Sequence, residues 1–155
     1  MLIDEERMYL AIEEAKKAAS LGEVPVGAIV VDEDGKVVGR GHNVTETENR
    51  PTGHAEILAI EEAARSKGNW RLSDCTLYVT LEPCPMCAGA AIRARLKRVV
   101  YGAFDESGGA LASVTALYDE RFGCKPLVRS RILERECGAL LSEFFQKQRE
   151  REARN

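Results

Sequence analysis

At 155 residues, with 45% hydrophobic and 30% charged side chains, the chain is sized for a single soluble globular domain. The formal charge of −3 excludes binding of nucleic acid by bulk attraction to phosphate, though not by a local basic patch. The start, MLIDEERMYL, lacks the basic-then-apolar order of a secretory leader, no apolar run is long enough to span a bilayer, and five cysteines is an odd number for a disulfide framework. A reducing cytoplasm, with no membrane attachment, is the expected setting.

From about Glu5 to Leu21, Met8, Leu10, Ala11, Ile12, Ala15, Ala18 and Ala19 recur mostly at helical intervals between charges, and Gly22 closes the helix. VPVGAIVV and KVVGRG read as two antiparallel strands joined at Asp34-Gly35, a pair that tolerates positive φ. Residues 43–53, NVTETENRPTG, form a polar loop, and HAEILAIEEAARSKG a second helix stopped by Gly68. CTLYVTL is a strand. Pro85 then suits the first position of a third helix, with Cys84 as its N-cap and AGAAIRARL continuing it.

RVVYGA is the next strand, residues 103–125 are less legible, and PLVRS is a possible short strand. The chain ends in a helix striped by Leu133, Cys137, Leu140, Leu141 and Phe144, with a charged tail over about residues 147–155 expected to fray. This order of elements predicts an α/β fold, a mixed sheet covered by helices on both faces.

Cys84 and Cys87, in LEPCPMC, stand about one turn apart at a helix start, where exposed N–H groups favour thiolates. Alone, the pair serves a dithiol redox site or a metal site equally well. A closed structural zinc site needs four protein ligands, and no second C-x-x-C or H-x3-H is present. Cys75, Cys124 and Cys137 are scattered and read as small buried hydrophobes. His54, at a helix start, would alone pass for a surface or capping residue. Beside two thiolates it becomes a third ligand that leaves zinc one open position, and Glu56 supplies a carboxylate to take a proton from water there. Because positions i and i+2 point about 200° apart on a helix, His54 and Glu56 converge only on a centre lying over the helix N-terminus.

His54-Ala55-Glu56 followed by Pro83-Cys84-Pro85-Met86-Cys87 resembles the H-x-E…P-C-x-x-C signature of the zinc-dependent cytidine and nucleobase deaminase superfamily. GEVPVGAIVV, GHN, PTGHAEI, NWRLSDCTLYVTLEPCPMCAGA, RVVYGAFD and LLSEFF further resemble successive blocks of the bacterial tRNA-specific adenosine deaminases, over nearly the whole chain. The resemblance implies a three-layer α/β/α cytidine-deaminase-like fold, its central mixed sheet having about five strands. It implies one Zn2+ per chain on His54, Cys84 and Cys87, with Glu56 carrying a proton from the activated water to the base. The implied reaction is hydrolytic deamination of adenosine to inosine at the wobble position of a tRNA anticodon loop.

By the same likeness Asn43, the Ala55 N–H and Asp105 would contact the nucleoside, and the protein would be a homodimer. Arg93, Arg95, Lys97 and Arg98, with Lys147, Arg149 and Arg151, are candidates for RNA phosphate, whereas Phe144 and Phe145 read as core. Three departures from the family pattern bear on substrate rather than metal. Gly53 replaces the usual alanine, no basic residue stands near Ser107, and residues 118–132 lack the usual Asn-His pair. The alternatives are the same chemistry on a free nucleobase or nucleoside, a dithiol redox protein using Cys84 and Cys87, and a non-catalytic zinc-stabilised RNA-binding module.

Overall fold

The structure, a computed structural model, describes residues 2–155. Its elements run α1 (Ile3–Ser20), β1 (Gly27–Val31), β2 (Val37–His42), α2 (Ala55–Lys67), β3 (Thr76–Leu81), α3 (Pro85–Arg93), β4 (Arg98–Ala103), a 3-10 turn (Leu117–Asp119), β5 (Leu127–Arg129) and α4 (Glu134–Arg154). The strands lie in the order β2-β1-β3-β4-β5. β1 pairs antiparallel with β2 and β3, whereas β3–β4 and β4–β5 are parallel, so the sheet is mixed, as expected.

Strands buried on both faces read as continuous apolar runs, and their two-residue period then sorts side chains between two cores. In β1, Ala28 and Val30 join one core with Ala55, Ala59 and Ala63 of α2 and Ala91 of α3. Ile29 and Val31 join the other with Met8, Ala11 and Ile12 of α1 and Cys137 of α4. Leu77 and Val79 of β3 likewise go one way and Tyr78 the other. The result is the three-layer α/β/α architecture.

The small residues set how closely the layers meet. A Cβ on Gly41 would collide with the Ala55 carbonyl oxygen, and one on Gly39 with that of Ala59. The backbone of α2 therefore rests directly on β2, and the start of α2 is brought beside the end of β2. That contact places residues 54–56 next to Asn43.

Two details differ from the sequence-based expectation. α3 stops at Arg93 instead of continuing to Leu96, and Arg95 takes a left-handed φ of 60°. The turn tucks Leu96 into the core at 3% exposure and starts β4 two residues later. Cys124 is exposed, unlike the buried Cys75 and Cys137, because the segment around it lies outside both cores.

One buried ion cluster ties the layers at the end of the sheet away from the site. Asp4, 6% exposed, accepts from Tyr78 Oη (2.7 Å), from both Arg98 Nη atoms (3.1 and 3.0 Å) and from Arg129 Nη1 (2.7 Å). This joins α1 to β3, β4 and β5. It also removes Arg98 from the cations free to meet RNA. Burial by itself would raise the Asp4 carboxyl, but the hydrogen bonds from Arg98, Tyr78 and Arg129 hold it well below the usual carboxylate range.

Asp4→Asn is expected to cost about 2–3 kcal/mol at neutral pH, less than for a fully buried pair because both arginines keep some solvent. A carboxyl with a depressed folded pKa stabilises fully above its unfolded value near 4 and loses that contribution as pH falls through the folded value. The gap between wild type and variant should accordingly narrow below about pH 4, as urea unfolding across a pH series will show. An unchanged gap in strong acid would contradict this account.

Among the described residues no helix is long and apolar enough to cross a membrane.

Candidate metal centre and substrate pocket

Two helix starts converge on one point. His54 is the extended N-cap of α2 (φ −89°, ψ 149°), and Cys84 the extended N-cap of α3 (φ −73°, ψ 174°) with Pro85 behind it. Cys87 follows in the first turn of α3 and is fully buried. His54 Nδ1 lies 3.5 Å from the Cys84 sulfur and 3.5 Å from the Cys87 sulfur. The three donor atoms all fall within 4.8 Å of one another. Because His54 precedes the helix and does not sit on its barrel, it and Glu56 reach the same region over the N-terminus, as their spacing requires.

These distances fit a bound ion. Bond lengths of about 2.3 Å to sulfur and 2.05 Å to nitrogen, at tetrahedral angles, put sulfur and nitrogen about 3.6 Å apart. The observed separations match, and the donor set of one imidazole and two sulfurs is that of an open zinc site. A hydrogen bond from Cys87 pushes the Cys84 thiol down to about 4, against the effect of burial, and His54 adds to the shift. Cys87 moves the other way, because Cys84 accepts its proton and burial disfavours a second charge. A divalent cation bound here would take the place of the proton that the two sulfurs share. The His54 imidazole is raised, chiefly by its hydrogen bond with Cys84.

Glu56, 3% exposed, sits one residue inside α2 and shares the site with all three donors. Burial pushes its carboxyl up to about 7, opposed by its own backbone N–H and by His54. A carboxyl balanced near neutrality can take up a proton and release it again, as a shuttle must.

A cavity of about 450 Å³ opens in front of these groups. His54, Glu56, Cys84, Asn43 and Asp105 line it, with Glu23, Glu82, Phe144 and Gln148 among the other walls. The Ala55 N–H, read above as a candidate for the base edge, donates to Asn43 Oδ1 at 3.0 Å. Asn43 thereby binds the first turn of α2, and the contact fixes its amide so that the NH2 group is the end left for a ligand. Asp105 Oδ1 accepts from Ser107 N, Ser107 Oγ and Gly108 N, which leaves Oδ2 the freer oxygen. Ser107, where a basic residue would be usual, thus orients Asp105.

Gly53 packs under the loop of residues 44–53: a Cβ there would come within 3.1 Å of Arg50 Cβ and Val44 Cγ2. Lys147 and Arg151 line a smaller cavity adjoining the first, the two sharing Gly22, Phe144 and Gln148. Arg93 and Arg95 instead face a depression with Trp70 and Cys124.

Comparison with known proteins settles the family. The MafB19-like deaminase family matches residues 3–149. A relative from Bacillus subtilis, named tRNA-specific adenosine deaminase, is 51% identical over 152 residues, covering 97% of this chain and 94% of the relative. This chain belongs to the tRNA-specific adenosine deaminase family. Among solved structures, a protein from a study of A-to-I editing by tRNA:A34 deaminases superposes with a TM-score of 0.83 at 43% identity, covering 88% of this chain and 99% of that one. A guanine deaminase from Nitrosomonas europaea superposes at 0.76 and 27% identity, over 90% of this chain and 83% of its own.

Three features of this deaminase-family pocket carry no mark in the sequence. Phe144 is half-buried at the pocket edge and Phe145 is 40% exposed, so neither fills the core as expected. α4 passes beside the pocket mouth, and only its first turns reach the sheet. Glu23 is a buried acid in the link between α1 and β1, accepting from Glu46 N, Thr47 N and Thr47 Oγ1 and so pinning the polar loop before His54. Glu82, in the cysteine motif itself, anchors the loop after β4. A buried glutamate at a strand end gives no periodic signal by which to find it.

Proposed function

We propose that the chain is a zinc-dependent hydrolase that converts adenosine to inosine at the wobble position of a tRNA anticodon loop, acting as one domain in the cytoplasm. The observation that carries this reading is the His54, Cys84 and Cys87 triad at tetrahedral spacing, with Glu56 buried beside it and a cavity with ample room for a base in front. The tRNA substrate is inferred from the relatives described above, which are tRNA deaminases by name.

His54 Nδ1 and the two sulfurs would hold the ion, and the ends of α2 and α3 favour the thiolate form. When bound, zinc supplies the positive charge that activates water at neutral pH. Glu56 accepts a proton from that water and delivers it to the base, so that water adds at C6 and the amino group leaves as ammonia. Burial shields Glu56 from exchange with bulk water during the transfer. Asn43 and Asp105, which line the cavity, would orient the nucleoside through Nδ2 and Oδ2, the ends left without a protein partner among the described residues. Lys147 and Arg151 would meet phosphate beside the mouth.

The reading extends to a homodimer. Ile57, Ile60, Trp70 and Ala90 line an apolar groove of about 570 Å³ between α2 and α3, and Trp70 is 51% exposed. A surface of this kind is suited to burial against a second copy. Light scattering on the intact protein tests it.

A second reading, deamination of a free purine, is favoured by the likeness to a guanine deaminase. Metal analysis combined with an ammonia-release panel over an anticodon stem-loop, nucleosides and free bases separates the two. Stoichiometric zinc with release from the stem-loop alone is the expected outcome. Release from free bases only would remove the tRNA reading, and a zinc-free protein with a reversible dithiol titration would remove both.

A further inference from the structure

Glu82 and Glu23 are the two buried carboxylates at the pocket for which the chemistry above has no use, and of the two only Glu82 holds the segment that carries Asp105. Glu82 is 2% exposed, and its two oxygens accept from Asp105 N (3.1 Å), Leu111 N (3.1 Å), Ala112 N (2.8 Å), Ser113 N (2.9 Å) and Ser113 Oγ. Four backbone amides and a hydroxyl thus meet on one side chain. All belong to the strap that follows β4, and the strap begins with Asp105. Gly109 completes the fit: a Cβ there would strike the Glu82 carboxylate, so the backbone itself is pressed against it. The strap is joined to the residues around the metal ligands at one more point, Ala110 N to Pro83 O (2.8 Å), and the 3-10 turn beyond it at another, Tyr118 Oη to Ala88 O (2.8 Å).

A loop that needed only to be stable could rest on an apolar residue, since burying a carboxylate is costly and well-packed apolar substitutes are often as stable. What a carboxylate with five converging donors gives instead is one defined loop position. That position matters because residues 82, 84 and 105 line the same cavity. Cys84 is two residues beyond Glu82 on one strand end, and Asp105 is held from the neighbouring one.

We propose that Glu82 is a positioning residue for substrate recognition: it fixes the strap of residues 105–113, and with it Asp105 in the pocket wall, and so sets how tightly the target nucleoside is held without taking part in proton transfer. This rests on the deaminase reading of the pocket. It assigns to the strap the contacts a substrate makes equally before and during reaction, whose loss appears in KM.

The test compares wild type with Glu82→Gln, which keeps the side-chain shape but turns one acceptor oxygen into an NH2 facing backbone donors, and with Ser113→Ala, which removes one donor of the five. Metal content, kcat, KM and amide hydrogen exchange are measured on the full chain. For Glu82→Gln the expected result is unchanged metal content, kcat within about threefold of wild type, and KM raised about tenfold or more. Exchange of the 105–113 amides should be faster. Ser113→Ala should move KM and exchange in the same direction by less.

An unchanged KM with faster exchange would overturn the proposal, showing a loop held for stability alone. A fall in kcat at constant KM, or loss of metal, would overturn it as well. If Glu82→Gln does not fold, Ser113→Ala decides, and an unchanged KM there sinks the idea. The comparison uses whichever substrate wild type turns over, RNA or nucleoside, so failure of the tRNA reading is seen separately in the wild-type panel.

Discussion

Replacing Glu56 with glutamine should leave the fold and the bound metal intact while lowering turnover by at least about a hundredfold, the lower end for loss of a general acid–base. The side chain is 3% exposed and glutamine fills the same volume, so packing in the α2 layer is preserved. His54, Cys84 and Cys87 hold the site without it. What disappears is the one group beside the donors that can take a proton from water and give it to the base. Because the loss falls on the chemical step, kcat should drop and KM change little. Metal analysis and single-turnover ammonia release make the measurement. Retained turnover would refute the mechanism and leave a zinc-stabilised RNA-binding module as the better account.

Cys87→Ala should go further, removing stoichiometric metal and reducing ammonia release to background. Cys87 is fully buried, so no outside group can take its place, and the two remaining donors cannot complete a three-ligand centre. The helix itself should persist, since alanine is a good helix former and Ala88, Ala90 and Ala91 already surround it. Circular dichroism beside metal analysis distinguishes a lost ion from a lost fold. A dithiol redox protein would instead lose its titration and show no metal in either form. In a folded variant, full metal occupancy would mean that Cys87 is not a ligand.

Most of this architecture was legible in the chain because its elements are regular. Ala11, Ala15 and Ala18 repeat at helical spacing, and all are fully buried in α1. The strands were visible as β-branched runs even where both faces are covered. The metal donors could be singled out because only two histidines exist and one of them stands two residues before a glutamate. What stayed hidden depends on tertiary contacts between segments far apart in sequence. Phe144 has the spacing of a core residue, yet α4 carries it past the sheet to the pocket mouth. Arg98 has the look of a surface cation within a basic run, and only the fold shows Asp4 against it, 94 residues away. Glu82 is a single acid among apolar neighbours, and its five partners come from a stretch with no clear period.

The parallel pairing of β3 with β4 has a consequence for how such a protein can change. Neighbouring parallel strands end side by side, so Cys84 leaves one carboxyl end as Asp105 leaves the next. In the proposed mechanism the reacting half of the site comes from helix starts seated on the sheet, whereas the selecting half comes from turns, which tolerate substitution. Gly53 and Ser107, two of the positions at which the sequence was read as departing from the family pattern, lie in connecting segments, whereas the third stretch, residues 118–132, includes the edge strand β5. Descent can therefore revise which base is admitted while inheriting, unaltered, the means of attacking it.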